Sequence, residues 1–278
     1  MKMVLYIDGV DAFEAFGLSV SDGGYKGFAC FPSLKDVAFN DWHEQNGIDP
    51  DLSAPVLNAR EIVMDFHIVG GLWRYYSLID KLSDGAYHVF KMNEIGLIKK
   101  LRLVRCGEVK SVQKIHKFSL TFSDDFPLEG YEYYGPTAAF TPRYDFSIDG
   151  KDISDYGIRM EKGTYENIVQ HPDVKENLKV NISTLHGVGY DAENVTYKSR
   201  TVGLNCFMRG RSHMEFWRNW NALLYDLTRP DARVLHVSRF DKDIPFFYKS
   251  CNVQTFFPDP DKVWFEFTLN VEFFKGVI

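Results

Sequence analysis

The sequence predicts a mainly β protein with minor α content: two homologous antiparallel β-sandwich or barrel domains, each with one packed helix and a long β-hairpin. Three observations lead there. Apolar residues recur at every second position in several long segments, as a half-buried strand requires because successive side chains point to opposite faces. Aromatic residues make up 15% of the 278 residues, an excess that favours sheet. Finally, the chain matches itself at an offset of about 140 residues.

The matches run in one order. LYIDG at 5–9 parallels FSIDG at 146–150, with Asp11 and Asp152 following. AFGLSV at 15–20 parallels DYGIRM at 155–160, and NGIDPD at 46–51 lies opposite HGVGYD at 186–191. Arg60 then falls on Arg200, Gly70 on Gly210, and LWRYYSLI at 72–79 on FWRNWNAL at 216–223. This divides the chain into domains 1–142 and 143–278. The segment 126–142 is rich in Pro, Gly and Tyr and has no sustained period, so it is read as the linker ending the first domain.

The elements follow from local pattern. Ile62, Met64, Phe66 and Ile68 alternate as one strand, matched by Val202, Leu204, Cys206 and Met208. Leu178, Val180 and Ile182 read as a further strand. One helix per repeat comes next. In the second, Ser212 and Glu215 form a capping box, and Phe216, Trp220, Leu223, Leu224 and Leu227 recur at helical spacing. In the first, Leu72, Tyr76 and Ile79 are expected to form the equivalent buried face. After the breaks at 83–87 and 228–233, long hairpins are expected over 96–105 with 112–122 and over 244–257 with 262–274. Lys114 and His116 interrupt the alternation of 112–122, so only the far end of that strand is expected to be buried.

Composition and spacing argue against most chemistry. The net charge of −6 does not suit a general nucleic-acid binder. The four cysteines, Cys30, Cys106, Cys206 and Cys251, form no CxxC pair and are read as reduced thiols. No apolar run approaches the roughly 20 residues of a membrane span, and residues 1–17 read as no secretory leader. There is no phosphate-binding glycine loop, since Gly187-Val188-Gly189 reads as a turn. No two of the eight histidines lie three to five residues apart. Asp49 and Asp51 begin a calcium-loop pattern that nothing completes, and no nucleophile elbow occurs. The expectation is a non-enzymatic protein without metal or cofactor. Lys99, Lys100, Arg102, Arg105, Lys110, Lys114 and Lys117 cluster on the first hairpin. They are read either as a surface for an acidic partner or as charges protecting an exposed hairpin, the second being favoured.

The phrase carried by Ile148, Gly150, Asp152, Ile153, Tyr156, Gly157 and Ile158, continued by Pro172 and Gly187–Asp191, resembles siphophage distal tail proteins and related tail-tube domains. The first repeat carries it on Ile7, Gly9, Asp11, Phe16, Gly17, Leu18, Pro32, Gly47 and Asp49. The resemblance implies a structural role without catalysis: a ring around a central channel at the tail tip. Hairpins such as the basic one would line the channel or meet the neighbouring subunit. The implied partners are the chain itself, as a trimer or hexamer, together with tail-tube and tail-tip hub proteins. DNA would pass through without tight binding, and no membrane insertion is expected. Such a protein would assemble in the host bacterial cytoplasm and end in the virion tail. Two tandem tube-like domains depart from the usual distal tail protein, which has one. The alternatives are a component of a tail-like secretion or injection system, or a carbohydrate-binding β-sandwich using Trp42 or Tyr131–Tyr134.

Overall fold

A computed structural model describes residues 4–21, 23–137, 145–176, 179–190, 193–259 and 262–276. The expected boundary at 142/143, Leu178 and Asp191 lie outside these residues. The chain is mainly β, with two curled antiparallel sheets and few helices.

The first sheet is built from β1 (Tyr6–Ile7), β2 (Val10–Asp11), β3 (Leu18–Val20), β6 (Arg60–Val69), β7 (His88–Met92), β8 (Leu97–Cys106), β9 (Lys110–Val112) and β10 (Ile115–Asp124). A small hairpin of β4 (Phe39–Asn40) and β5 (Asp49–Pro50) stands off it as an arm. The helices here are α1 (Ala12–Phe16), α2 (Lys26–Ala29) and α3 (Trp73–Leu82). The second sheet comprises β11 (Phe146–Ile148), β12 (Lys151–Asp152), β13 (Ile158–Met160), β16 (Arg200–Gly210), β17 (Arg233–Val237), β18 (Lys242–Asp259) and β19 (Lys262–Phe273). Its arm is β14 (Lys179–Val180) with β15 (Gly189–Tyr190), and its helices are α4 (Thr164–Val169) and α5 (His213–Leu227).

The strand orders coincide. The first sheet runs β2-β1-β7-β8-β10-β6-β3 and the second β12-β11-β17-β18-β19-β16-β13, which is the same path element by element. Small devices repeat with it. Asp8-Gly9 and Asp149-Gly150 make the two-residue turns with φ of 52° and 81°, and of 49° and 79°. Both central residues of such a turn need φ above zero, which Asp and Gly tolerate best. Asp8 Oδ1 accepts the Val89 amide and Asp149 Oδ1 the Val234 amide, each at 2.9 Å. The other oxygen takes two basic side chains: His88 and Lys81 in the first half, Arg233 and Arg229 in the second.

Asp11 then caps α1, and Asp152 caps a one-turn 3₁₀ segment, Ile153–Tyr156. These end at Gly17 (φ 67°) and Gly157 (φ 73°), where a Cβ would run into the Val69 carbonyl and the Arg209 carbonyl respectively. Arg60 and Arg200 reach back to the carbonyls that end α2 and α4: Phe28 and Cys30 for Arg60, Asn167 and Ile168 for Arg200. Across the strand pair, Arg60 faces Asp124 in an ion pair of 2.6 Å. Arg200 faces Phe273, over whose ring it stacks at 5.3 Å. The guanidinium has one task in both halves, and only its cross-strand partner has changed.

Several expectations need correction. In α3 the buried residues are Tyr75, Leu78 and Leu82, whereas Leu72 and Tyr76 are exposed. Tyr75, Leu78 and Leu82 align with Asn219, Ala222 and Asp226, which are buried as well, so α3 keeps the phase of α5 and buries a narrower face. His116 does not break its strand. It points inward in step with Phe118, buried, with Ser111 Oγ at 2.8 Å and the Gly70 carbonyl at 3.1 Å on its two ring nitrogens. Among the described residues of the 178–182 segment, only Lys179–Val180 pair, and Val180 and Ile182 are exposed. Short helices α1, α2 and α4 add to the single helix expected per half.

Candidate functional site

The most developed surface in the molecule is the one where its halves meet. On the second half it is built from α5. The Ser212 hydroxyl accepts the Glu215 amide and starts this helix, and the 3.6-residue period buries Phe216, Trp220, Leu223 and Leu227. Trp217 and Trp220 point toward the first half. The indole N–H of Trp217 donates to the Ile95 carbonyl at 2.7 Å, and that of Trp220 to the Ala29 carbonyl at 2.9 Å. Phe31 lies flat on Trp220 with ring centroids 3.6 Å apart. An indole suits this role because it buries a large apolar area and still satisfies its one donor.

The first half also extends its arm over the second. The Leu34 amide donates to the Lys249 carbonyl at 2.8 Å, and the Tyr248 hydroxyl to the Pro32 carbonyl at 2.8 Å. Lys249 is the extra residue of a β-bulge between β18 and β19, which turns its backbone out of the ladder. Leu34, Val37, Ile48 and Leu52 gather around Phe247 and Phe274 in a small core of their own. At the arm's tip, in the turn between β4 and β5, the buried Lys175 ammonium donates to Asp41 Oδ1 and to the Trp42 and Gly47 carbonyls. Thr196 Oγ1 donates to the His43 carbonyl at 2.7 Å. Gly47 carries φ 73° and packs its Cα directly against the Phe274 carbonyl, leaving no room for a Cβ, so only glycine fits there.

A strap seals the junction. Residues 126–137 run along α5, where the buried Asn219 amide accepts the Thr137 amide at 2.8 Å and donates to its carbonyl at 3.0 Å. Tyr131 and Tyr133 pack on Tyr225. Asp226 accepts the Tyr156 hydroxyl at 2.6 Å, the Lys151 ammonium at 2.8 Å and the Tyr133 hydroxyl at 3.0 Å. Burial opposes ionisation of Asp226, but these donors outweigh it and hold the carboxyl below its ordinary range. Trp42 and Tyr134 are exposed.

The seven basic residues of the first hairpin separate into three groups. Lys99 shares the inward face of β8 with Leu97 and Leu101 and approaches Asp124 at 3.8 Å. Burial first, and then the Arg60 guanidinium beside it, push its ammonium down to about 8. Arg102 pairs with Asp125 at 3.0 Å, and Lys100 lies over the Tyr87 ring at 5.4 Å. Arg105, Lys110, Lys114 and Lys117 are exposed toward the hairpin tip, with Lys110 directly opposite Lys117. Among the described residues, no group of three or more His, Cys, Asp or Glu could hold a metal ion. All four cysteines are free: Cys206 and Cys251 are buried, Cys30 partly so, and Cys106 exposed.

Sequence reasoning misses most of this surface. Trp217, Phe31 and Lys175 carry it, but their partners lie 122, 189 and 128 to 134 residues away, and no local pattern encodes such pairings. The usable signal is the repeat itself, once the two copies are compared for what each exposes.

No family model matches the chain, and no curated protein matches it. Among solved structures, it is similar to the crystal structure of the Dit protein (gp 19.1) of phage SPP1, described as a paradigm of the hub adsorption apparatus in phages infecting Gram-positive bacteria. The identity is 11%, the coverage 98% of both chains and the TM-score 0.36.

Proposed function

We propose that this chain is a non-enzymatic structural component of a phage or prophage tail tip, a ring-forming protein around the DNA channel that joins the tail tube to the adsorption apparatus. In this reading the chain is two tandem tube-like domains, with the boundary near residue 142. The observation that carries it is the repeated strand–helix–hairpin unit, whose copies meet through different faces: arm and α2 on one, α5 and the β18–β19 hairpin on the other. A contact between unlike faces propagates from copy to copy and closes into a ring when its rotation divides the circle. The resemblance of the Ile148–Ile158 phrase and its counterpart in the first half to tail-tube domains supports the tail assignment.

In the same reading, the hairpins, including Lys99, Lys100, Arg102, Arg105, Lys110, Lys114 and Lys117, face the channel or the next subunit. The protein assembles in the bacterial cytoplasm and remains in the virion tail. Among the described residues, no helix is long and apolar enough to cross a membrane. Negative-stain imaging of the purified protein tests the proposal. Rings with a central opening are expected, and particles without a hole at any concentration would overturn it.

A further inference from the structure

Among the described residues, the contact between the halves uses one face of each and leaves the other two faces exposed. On α5, Trp217 and Trp220 are seated on the first half, and Trp220 is 2% exposed. Their counterparts in LWRYY are Trp73 and Tyr76, and these stand 63% and 58% exposed on α3. The seat that receives the tryptophans has its own counterpart. YKGFACFP at 25–32 aligns with YENIVQHP at 165–172 without a gap, placing Val169 where Ala29 lies and His171 where Phe31 lies. Val169 is 56% exposed. Ile95, whose carbonyl takes the Trp217 indole, corresponds to Phe240. Each precedes a residue with positive φ, Gly96 at 62° and Asp241 at 49°, that opens the next strand.

The arm shows the same imbalance. The bulged residue of the first sheet is Val104, in the place that Lys249 occupies in the second. Leu34 and Val174 are likewise equivalent, since each forms the isolated bridge at its arm's root, with Leu57 and with Tyr197. Leu34 binds the Lys249 carbonyl, whereas Val174 and Val104 are 44% and 46% exposed.

We propose that a second copy of this chain occupies these faces by repeating the contact inside the chain: its Trp73 and Tyr76 seat on Val169, His171 and the Phe240 carbonyl, and the Val174 amide bonds its Val104 carbonyl. The second arm then lies on the neighbour as the first lies on its own chain. The two bare faces are unlike and complementary, so the contact is head-to-tail. The occupant is a copy of this chain because the seat within the chain already displays the fit. The inference deepens the ring reading and rests on it only for closure.

The test uses the full chain with Cys106→Ser, Val104→Cys and Val174→Cys, treated with a short bis-maleimide. The pair Leu34→Cys with Lys249→Cys reports the in-chain contact and correct folding. In parallel, Trp73→Arg with Tyr76→Arg is compared with the unaltered chain by native mass spectrometry over a concentration series. Expected are a multimer ladder from the 104/174 pair, absent from either single cysteine, and an assembly midpoint shifted at least tenfold upward for the arginine variant. If the unaltered chain forms rings while the pair gives no ladder and the arginine variant assembles normally, this surface is wrong and the ring reading stands. A ladder of open chains without rings would uphold the surface and overturn the ring. A chain that stays monomeric throughout, with no ladder, would overturn both.

Discussion

Folding brings the Asp8 and Asp125 carboxyls well below their ordinary range, which makes part of the acid stability predictable. Burial pushes Asp8 up, but hydrogen bonds from His88, the Val89 amide and Lys81 prevail and bring it from 3.8 to about 2. Asp125 is held at about 2 by the Ser123 hydroxyl above all, against burial, with Tyr87 and Arg102 adding to it. A carboxyl lowered by folding contributes stability that is full above its unfolded value and is lost as pH falls toward the folded one. Stability is therefore expected to drop between pH 4 and about 2, and Asp8→Asn with Asp125→Asn should flatten that slope in urea melts across the range. An unchanged slope would contradict the assignment. Gly17 and Gly157 give a second prediction. Alanine at either meets a backbone carbonyl at positive φ, so each change should cost about 1–3 kcal/mol in chemical denaturation. At this scale much is legible: the IDG turns, Asp11 and Asp152, and the pairing of Arg60 with Arg200 all stand in the sequence as matches. What Arg60 binds is not, because Phe28 and Cys30 come to it only through the fold of α2.

Between elements, α3 and α5 show how one pattern yields two environments. Periodicity places both helices, and the buried face of α5 agrees with its apolar spacing. In α3 the spacing misleads at Tyr76, because Trp220, its counterpart, is buried by Phe31 and Ala29 of the other half and not by its own sheet alone. Tyr76 itself stands 58% exposed. Trp220→Ala should accordingly destabilise the monomer by about 3–5 kcal/mol, and Tyr76→Ala by less than about 1 kcal/mol, both read by denaturant melts at low protein concentration. Equal losses would contradict this account of the faces. The strap gives a further element-scale prediction. The buried Asn219 binds both backbone groups of the exposed Thr137, so Asn219→Ala removes two hydrogen bonds, at about 0.5–1.5 kcal/mol each. Limited proteolysis should then cut within 126–137 faster than in the unaltered chain, with the two sheets keeping their resistance.

For the whole molecule, the duplication, the strand-rich class and both long hairpins are legible because alternation and repetition are properties of the chain. The arms are only partly so: the strand read at 178–182 is Lys179–Val180 among the described residues, and exposed Val180, Ile182 and Val188 give it no inward face. This is the scale at which the proposed function is decided. A two-unit chain whose unlike faces already mate once has one mated pair inside and one unmated pair outside. Assembly should therefore proceed by whole chains, in steps of 32.1 kDa, and stop at a closed number. Native mass spectrometry of the unaltered protein across a concentration series measures this directly. The account predicts a dominant species at three or six times 32.1 kDa, with open intermediates only at low concentration. A monomer at every concentration, or a compact dimer that grows no further, would contradict it.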